Sequence, residues 1–341
     1  MKKKHIKTFL NTAILLVLFG LTLFSAFRGE DLRQTIWFIR TAQARYVILS
    51  ILCVLGFILG ESVVIAFLLD SLGTRVKFGH CCLYSFIGFF YSCITPSASG
   101  GQPMQVVAMR KDCIPVAIST VVLAIVTITY KLVLVVIGLL VVLFRPKTIL
   151  SCLGSAEPLI HLGLFLNVAC IALLLALVFS PSLIRRLAAN ILFITKKLRI
   201  TRHPERLSGR FDQIVDQYTG TAEYYRTHKI VIVVVFLITL VQRVLLFLIT
   251  WFTYRAFGLH AENPLTLILL QALISVAVDM LPLPGGMGAS ENLFLEIFLP
   301  VFGADLLLPG MIISRGIGFY GQLIICTIMT FAATFLLRKH D

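Results

Sequence analysis

The sequence predicts an all-α polytopic membrane protein with six spanning helices and two re-entrant helical hairpins in an inverted repeat. Three observations predict it. The 341 residues are 58% hydrophobic and 13% charged, with mean hydropathy +0.96, whereas a soluble domain carries roughly 25% charged residues. The apolar runs are long and continuous, without the alternation of an outer-membrane barrel. Two proline-glycine breaks, 95–103 (TPSASGGQP) and 281–291 (LPLPGGMGASE), interrupt hydrophobic sequence. Proline lacks a backbone N–H and glycine is conformationally loose, so neither segment continues a helix. Lipid cannot solvate the freed backbone groups, which must be buried in protein or line a polar cavity.

In chain order, the first apolar run covers 8–27 behind a basic 1–7. It is long for a signal peptide and lacks an Ala-x-Ala cleavage site, so it reads as a retained helix. Residues 30–45 read as interfacial, with Ile36, Trp37 and Ile39 toward lipid and Arg33, Arg40 and Gln43 toward water. Further spans are expected at 46–69, 115–144, 159–180, 230–252 and 306–337. Two pairs of runs flank the breaks, 81–95 with 103–113 and 264–281 with 289–303. Three of these four arms have 15 residues or fewer, about 23 Å of helix against a hydrocarbon core of about 30 Å. Each pair therefore reads as a hairpin turning back near the midplane. The basic stretch 181–229 is the largest polar piece, either an ordinary cytoplasmic loop or an amphipathic helix on anionic lipid.

Charge sets the orientation. With the N-terminus inside, 20 Lys/Arg fall on the cytoplasmic side and 7 outside, and Lys131, Arg243 and Arg315 fall within spans. That asymmetry places both termini in the cytoplasm of a plasma-membrane protein. The same rule accounts for the net charge of +14 without nucleic acid. Eight cysteines without CxxC spacing and seven histidines without HExxH imply no disulfide framework, metal site or cofactor. No nucleotide-binding loop is present, which leaves an ion gradient, the membrane potential or no coupling at all.

The two breaks occupy matched positions. Arg45 precedes Gly100 by 55 residues and Lys229 precedes Gly285 by 56; Gly101 precedes Lys131 by 30 and Gly286 precedes Arg315 by 29. The whole of 1–341 then forms one transmembrane domain, with repeat one at 46–144, a connecting helix and basic loop at 145–229, and repeat two at 230–338. The spans opening the two repeats run in opposite directions, the inverted arrangement of transporters that bind substrate at the midplane.

Each returning arm starts a helix behind glycines, and helix N-termini present free N–H groups and partial positive charge to anions. Pro103 suits the first helical position, Ser290 an N-cap, and Glu291 the first turn. The candidate substrate-binding set is Thr95, Ser97, Ser99, Gly100, Gly101, Gln102 and Lys131 from the first half. The second half adds Pro284, Gly285, Gly286, Gly288, Ser290, Glu291 and Arg315. A cation at the bilayer centre is costly and faces either a pathway or a buried carboxylate; Glu61, Asp279 and Glu296 are the candidate counter-ions. Arg243 is expected to snorkel to the surface. Tyr130 and Tyr320 beside the cations read equally as packing aromatics and as ligand contacts.

The stretch 95–103 followed by Arg110 resembles the TPxxxGGxP…R signature of the lysylphosphatidylglycerol synthase transmembrane region, and 282–291 (PLPGGMGASE) resembles its second signature, PxPGGxGxxE. The resemblance covers about 8–337 and implies a flippase-like lipid translocase module. In two-part members this module moves aminoacylated phosphatidylglycerol to the outer leaflet, and a cytosolic C-terminal domain transfers the lysyl group from charged tRNA. Here the sequence ends at Asp341, four residues after the last apolar run, without that domain. Lys131 stands where the family more often has arginine, keeping the charge but losing bidentate geometry.

The expected function is movement of an anionic phospholipid or lipid-linked substrate between leaflets. The expected partners are the bilayer and a separate lipid-modifying enzyme, with no nucleic acid, cofactor or catalytic residue. The alternatives are a soluble-anion transporter and a phosphatidylglycerol lysyltransferase or its membrane part.

Overall fold

The computed structural model describes residues 32–180, 186 and 204–337. The apolar run 8–27 and the basic residues at 185, 196–202 and 338–339 lie outside the described residues. The order is α1 (Leu32–Thr41), α2 (Ala44–Ser71), α3 (Phe78–Ile94), α4 (Gly101–Lys111), α5 (Val116–Phe144), α6 (Lys147–Leu153) and α7 (Glu157–Phe179). It continues with α8 (Pro204–Thr227), α9 (Lys229–Ala256), α10 (Pro264–Val278), α11 (Ala289–Ile297), α12 (Leu299–Arg315) and α13 (Gln322–Leu337). All regular elements among the described residues are helical.

Five helical runs are long and apolar enough to cross a membrane: Ala44–Ser71, Val116–Phe144, Lys147–Phe179, Lys229–Ala256 and Leu299–Ala332. Their outward faces stay apolar. Ile230, Val233, Leu237 and Val241 form an exposed stripe along α9, and Ile48, Leu52, Leu59 and Val63 one along α2. In water such stripes would drive association; against lipid they are the expected surface. The chain is a multi-pass membrane protein.

α2 and α9 have 28 residues each and pack antiparallel. Their contact runs from Gln43, whose N–H donates to the Ala256 carbonyl at 2.9 Å, to Gln242, whose side chain donates to the Phe57 carbonyl at 2.9 Å. Along this contact the glycines leave little room: a Cβ at Gly60 would meet the Gln242 side chain at 2.9 Å. Proline and polar caps set the ends. Pro115 precedes α5, Pro264 opens α10, and the Asn263 side chain accepts the Leu265 N–H at 2.9 Å.

Three local differences from the sequence expectation have physical causes. The second returning arm ends at Ile297 rather than 303, because Phe298 leaves the helix and Pro300 starts α12 near its first position. The last span is interrupted by a π-turn at Gly316–Gly321, directly after Arg315. The 204–227 part of the basic stretch is a helix whose second half docks on protein rather than lipid: Tyr225 is buried and donates to the Leu68 carbonyl at 2.8 Å.

Candidate functional site

At the first break, Thr95 turns extended (φ −119°, ψ 146°) and Pro96 opens a single 3₁₀ turn in which Ser97 takes a left-handed φ of 49°. Thr95 Oγ1 accepts the Gly100 N–H at 2.9 Å and donates to the Tyr91 carbonyl at 2.7 Å, so one side chain closes the loop. Gly101 lies so close to Ser92 and the Gly88 carbonyl that a Cβ would overlap them. α4 starts at Gly101, which puts Pro103 third in the helix rather than first. Its missing N–H is still one that the first turn leaves unpaired.

The second break repeats this backbone path. Leu283 is extended (φ −112°, ψ 131°), Pro284 opens a 3₁₀ turn, and Gly285 takes φ 58°. The cap of α11 is Gly288, not Ser290. Gly288 has φ 81° and its N–H donates to Glu291 Oε2 at 2.7 Å, while Ser290 lies inside the first turn and is buried. The other Glu291 oxygen accepts Arg315 Nε at 2.9 Å, and the Arg315 guanidinium also reaches the Gly285 carbonyl at 3.3 Å. The N-terminus of α11 is thereby filled by the chain's own carboxylate.

The two turns meet. Ser97 Oγ donates to the Leu281 carbonyl at 3.2 Å across 184 residues. Beneath them lies a cavity of about 380 Å³, walled by both turns and by the middles of α2, α5 and α9. Ser97, Ser99, Gln102, Lys131 and Gly285 line it. A smaller adjoining cavity of about 190 Å³ adds Gly286, Ser290 and Arg315. The other expected site residues, Thr95, Gly100, Gly101, Pro284, Gly288 and Glu291, build the turns and line neither cavity.

The charges divide into two kinds. Lys131 Nζ pairs with Asp279 Oδ2 at 2.5 Å and donates to Asn167 Oδ1 at 3.2 Å, and Tyr130 OH donates to the same carboxylate at 2.9 Å. Arg315 is neutralised by Glu291. Asp279 and Glu291 are thus the counter-ions, and Glu296 instead accepts from Ser155 at 2.5 Å.

Arg243 and Glu61 behave differently. Arg243 does not snorkel; it stands near the middle of α9, too deep for its side chain to reach either end, and lines both cavities. Its guanidinium lies 4.4 Å from the Tyr130 ring centroid and 5.1 Å from that of Phe57, and its buried Nε has no hydrogen-bond partner. Among the described residues it makes no ion pair. Glu61 faces the larger cavity from α2 and accepts a 2.8 Å bond from the neutral Gln105 amide, again without an ion pair among the described residues. Tyr130 thus serves as a packing aromatic under Arg243 and as an Asp279 donor, while Tyr320 packs edge-on against Phe319.

Sequence reasoning placed Arg243 within a span but sent its side chain to the surface and left it out of the candidate site, because it has no partner in the repeat. Its depth, near the centre of an apolar run, was the signal that could have found it.

Gly285 is the least substitutable turn residue. It needs a positive φ, and a Cβ there would overlap the Phe319 ring. Gly285→Ala is expected to lower thermal stability by about 1–3 kcal/mol, the range for one strained backbone position. Gly288→Ala also has positive φ but open space around it, and should cost less. Thermal unfolding of the two purified variants would check the order.

No curated protein matches this chain. The family model described as Lysylphosphatidylglycerol synthase TM region matches residues 9–326, nearly the whole described fold. With both signatures folded into facing turns, the chain belongs to the lysylphosphatidylglycerol synthase transmembrane-region family.

Proposed function

We propose that this protein is a lipid translocase that passes a phospholipid head group between leaflets through the cavity beneath the two turns. The observation that carries the reading is the charge pattern. Lys131 and Arg315 are neutralised by carboxylates, whereas the Arg243 guanidinium and the Glu61 carboxyl face one cavity with no ion pair among the described residues. Arg243 suits a phosphate and Glu61 an amine. A head group bearing both, such as an aminoacylated phosphatidylglycerol, is the substrate class that fits. The volume of about 380 Å³ suits a head group without its acyl tails, within the ~300–1,000 Å³ common for ligand pockets.

The inverted repeat supports alternating access. The two turns share a backbone conformation, the two 28-residue helices pack antiparallel, and each half carries one neutralised cation beyond its turn. α3 and α4 have 17 and 11 residues and α10 and α11 have 15 and 9. At 1.5 Å per residue these arms reach about 14–26 Å, short of the ~30 Å core. In this reading both pairs are re-entrant hairpins, the first entering from the cytoplasm and the second from outside, in a plasma-membrane protein with both termini inside.

The decisive experiment uses vesicles that hold a labelled aminoacylated phosphatidylglycerol in one leaflet only. Protein-dependent movement to the other leaflet is expected. Uptake of a soluble anion without lipid movement would instead make the cavity an anion pathway. Lysyl transfer from charged tRNA by the isolated chain would make it an enzyme. For the hairpins, cysteines placed at Ser99 and Gly288 should each react with an impermeant thiol reagent from one face only, and from opposite faces. Labelling of Ser99→Cys from both faces would exclude the re-entrant arrangement.

A further inference from the structure

A second cationic cluster lies where α2 begins and α9 ends, outside the cavity. Arg45 donates through Nε and Nη2 to one oxygen of Gln43, at 3.1 and 2.8 Å. Its guanidinium is 4.7 Å from the Tyr46 ring centroid, and that of Arg255 is 5.8 Å from the same ring. Arg255 contacts His260 Nδ1 and donates to Tyr46 OH at 3.5 Å, and its Nε is buried without a hydrogen-bond partner. The partners of these two arginines are the Gln43 amide, the Tyr46 ring and hydroxyl, and the His260 ring, and neither arginine makes an ion pair among the described residues. Two like charges over one ring repel, so the fold holds them together at a cost that a bound anion would relieve.

The cluster is pre-organised. The Gln43–Ala256 backbone bond joins the two helix ends, and Tyr46 stacks on Phe252 at 6.4 Å. Arg255 lies 12 residues from Arg243 along α9, about 18 Å. With Arg243 near mid-depth, that distance puts the cluster at the edge of the hydrocarbon. Trp251, 5.0 Å from Phe252, and the exposed Trp37 are aromatics of the kind that mark this level.

We propose that Arg45, Arg255 and Tyr46 form a second binding site, at the membrane interface, for the phosphodiester of an anionic phospholipid. Guanidinium forks match phosphate oxygens, and the tyrosine hydroxyl adds a donor. The site stands whether or not the cavity translocates lipid. If it does, the site is where a head group would be captured or released about half a membrane away.

The protein contains two tryptophans, so Trp37→Phe leaves Trp251 as the sole emitter beside the cluster. In micelles of brominated phosphatidylglycerol mixed with plain phosphatidylcholine, quenching of Trp251 should show about a tenfold preference for the anionic lipid over brominated phosphatidylcholine. Arg45→Gln with Arg255→Gln should bring the preference close to one, and Arg255→Lys should retain most of it. If the double variant loses helical circular dichroism, Arg45→Gln alone, at an exposed side chain, should still weaken the preference. Arg243→Gln should leave it unchanged, which separates this site from the cavity. Equal quenching by the two lipids would overturn the site. Full reversal by excess inorganic phosphate would reassign it to a soluble anion.

Discussion

Arg243→Gln is expected to abolish lipid translocation while insertion, helix content and thermal stability stay close to wild type. The split follows from what Arg243 touches. It forms no ion pair with a carboxylate among the described residues, so its removal breaks no salt bridge among them. The lost contacts are the rings of Tyr130 and Phe57, worth about 0.5–2 kcal/mol. Against that, the substitution removes a buried Nε without a partner, itself a destabilising element. Function loses far more, because the cavity would then present only Glu61 and the neutralised Lys131–Asp279 pair to an incoming phosphate. Arg243→Lys should recover part of the activity, keeping charge without the planar fork. Vesicle translocation and thermal unfolding of the same preparations would check both halves. Wild-type movement by Arg243→Gln would remove the phosphate role from this residue.

The sequence disclosed the frame well because membrane depth makes its signals strong. A proline beside glycines in apolar sequence has few structural solutions, and both breaks became single 3₁₀ turns with two successive left-handed residues, Ser97 and Ala98 in the first and Gly285 and Gly286 in the second. The long spans ended within a few residues of their apolar runs, since a bilayer penalises an early stop. What sequence could not reveal was the partner of each charge. Spacing marked Lys131 and Arg315 as the functional cations, yet Asp279 and Glu291 neutralise both. Glu291 reads as a helix-cap residue from its position, and it is one, but the same carboxylate also holds Arg315. Arg243 and Glu61 were seen but given other roles, a snorkelling cation and a counter-ion, for the opposite reason. Each lies on one repeat only, so symmetry drew attention away from the place where the two halves differ.

The Lys131–Asp279 pair bridges α5 to the end of α10, and so joins the two halves beside the turns. Asp279→Ala would leave the Lys131 ammonium, 5% exposed, with Asn167, Met280 and the Tyr130 ring near it but no carboxylate partner. Breaking a buried pair by removing one partner costs about 3–5 kcal/mol, whereas replacing both with apolar residues of similar size is often neutral. Asp279→Ala should therefore cut the yield of folded protein sharply, and Asp279→Leu combined with Lys131→Met should restore it. Fluorescence-detected gel filtration after heating would rank the three proteins. The restored double variant then separates two roles that a single substitution confounds. If the pair is scaffold and Arg243 carries the phosphate, the double variant folds and still moves lipid. If it folds and moves none, Lys131 leaves Asp279 during the cycle to meet the substrate, and the bridge between the halves is itself a part that opens.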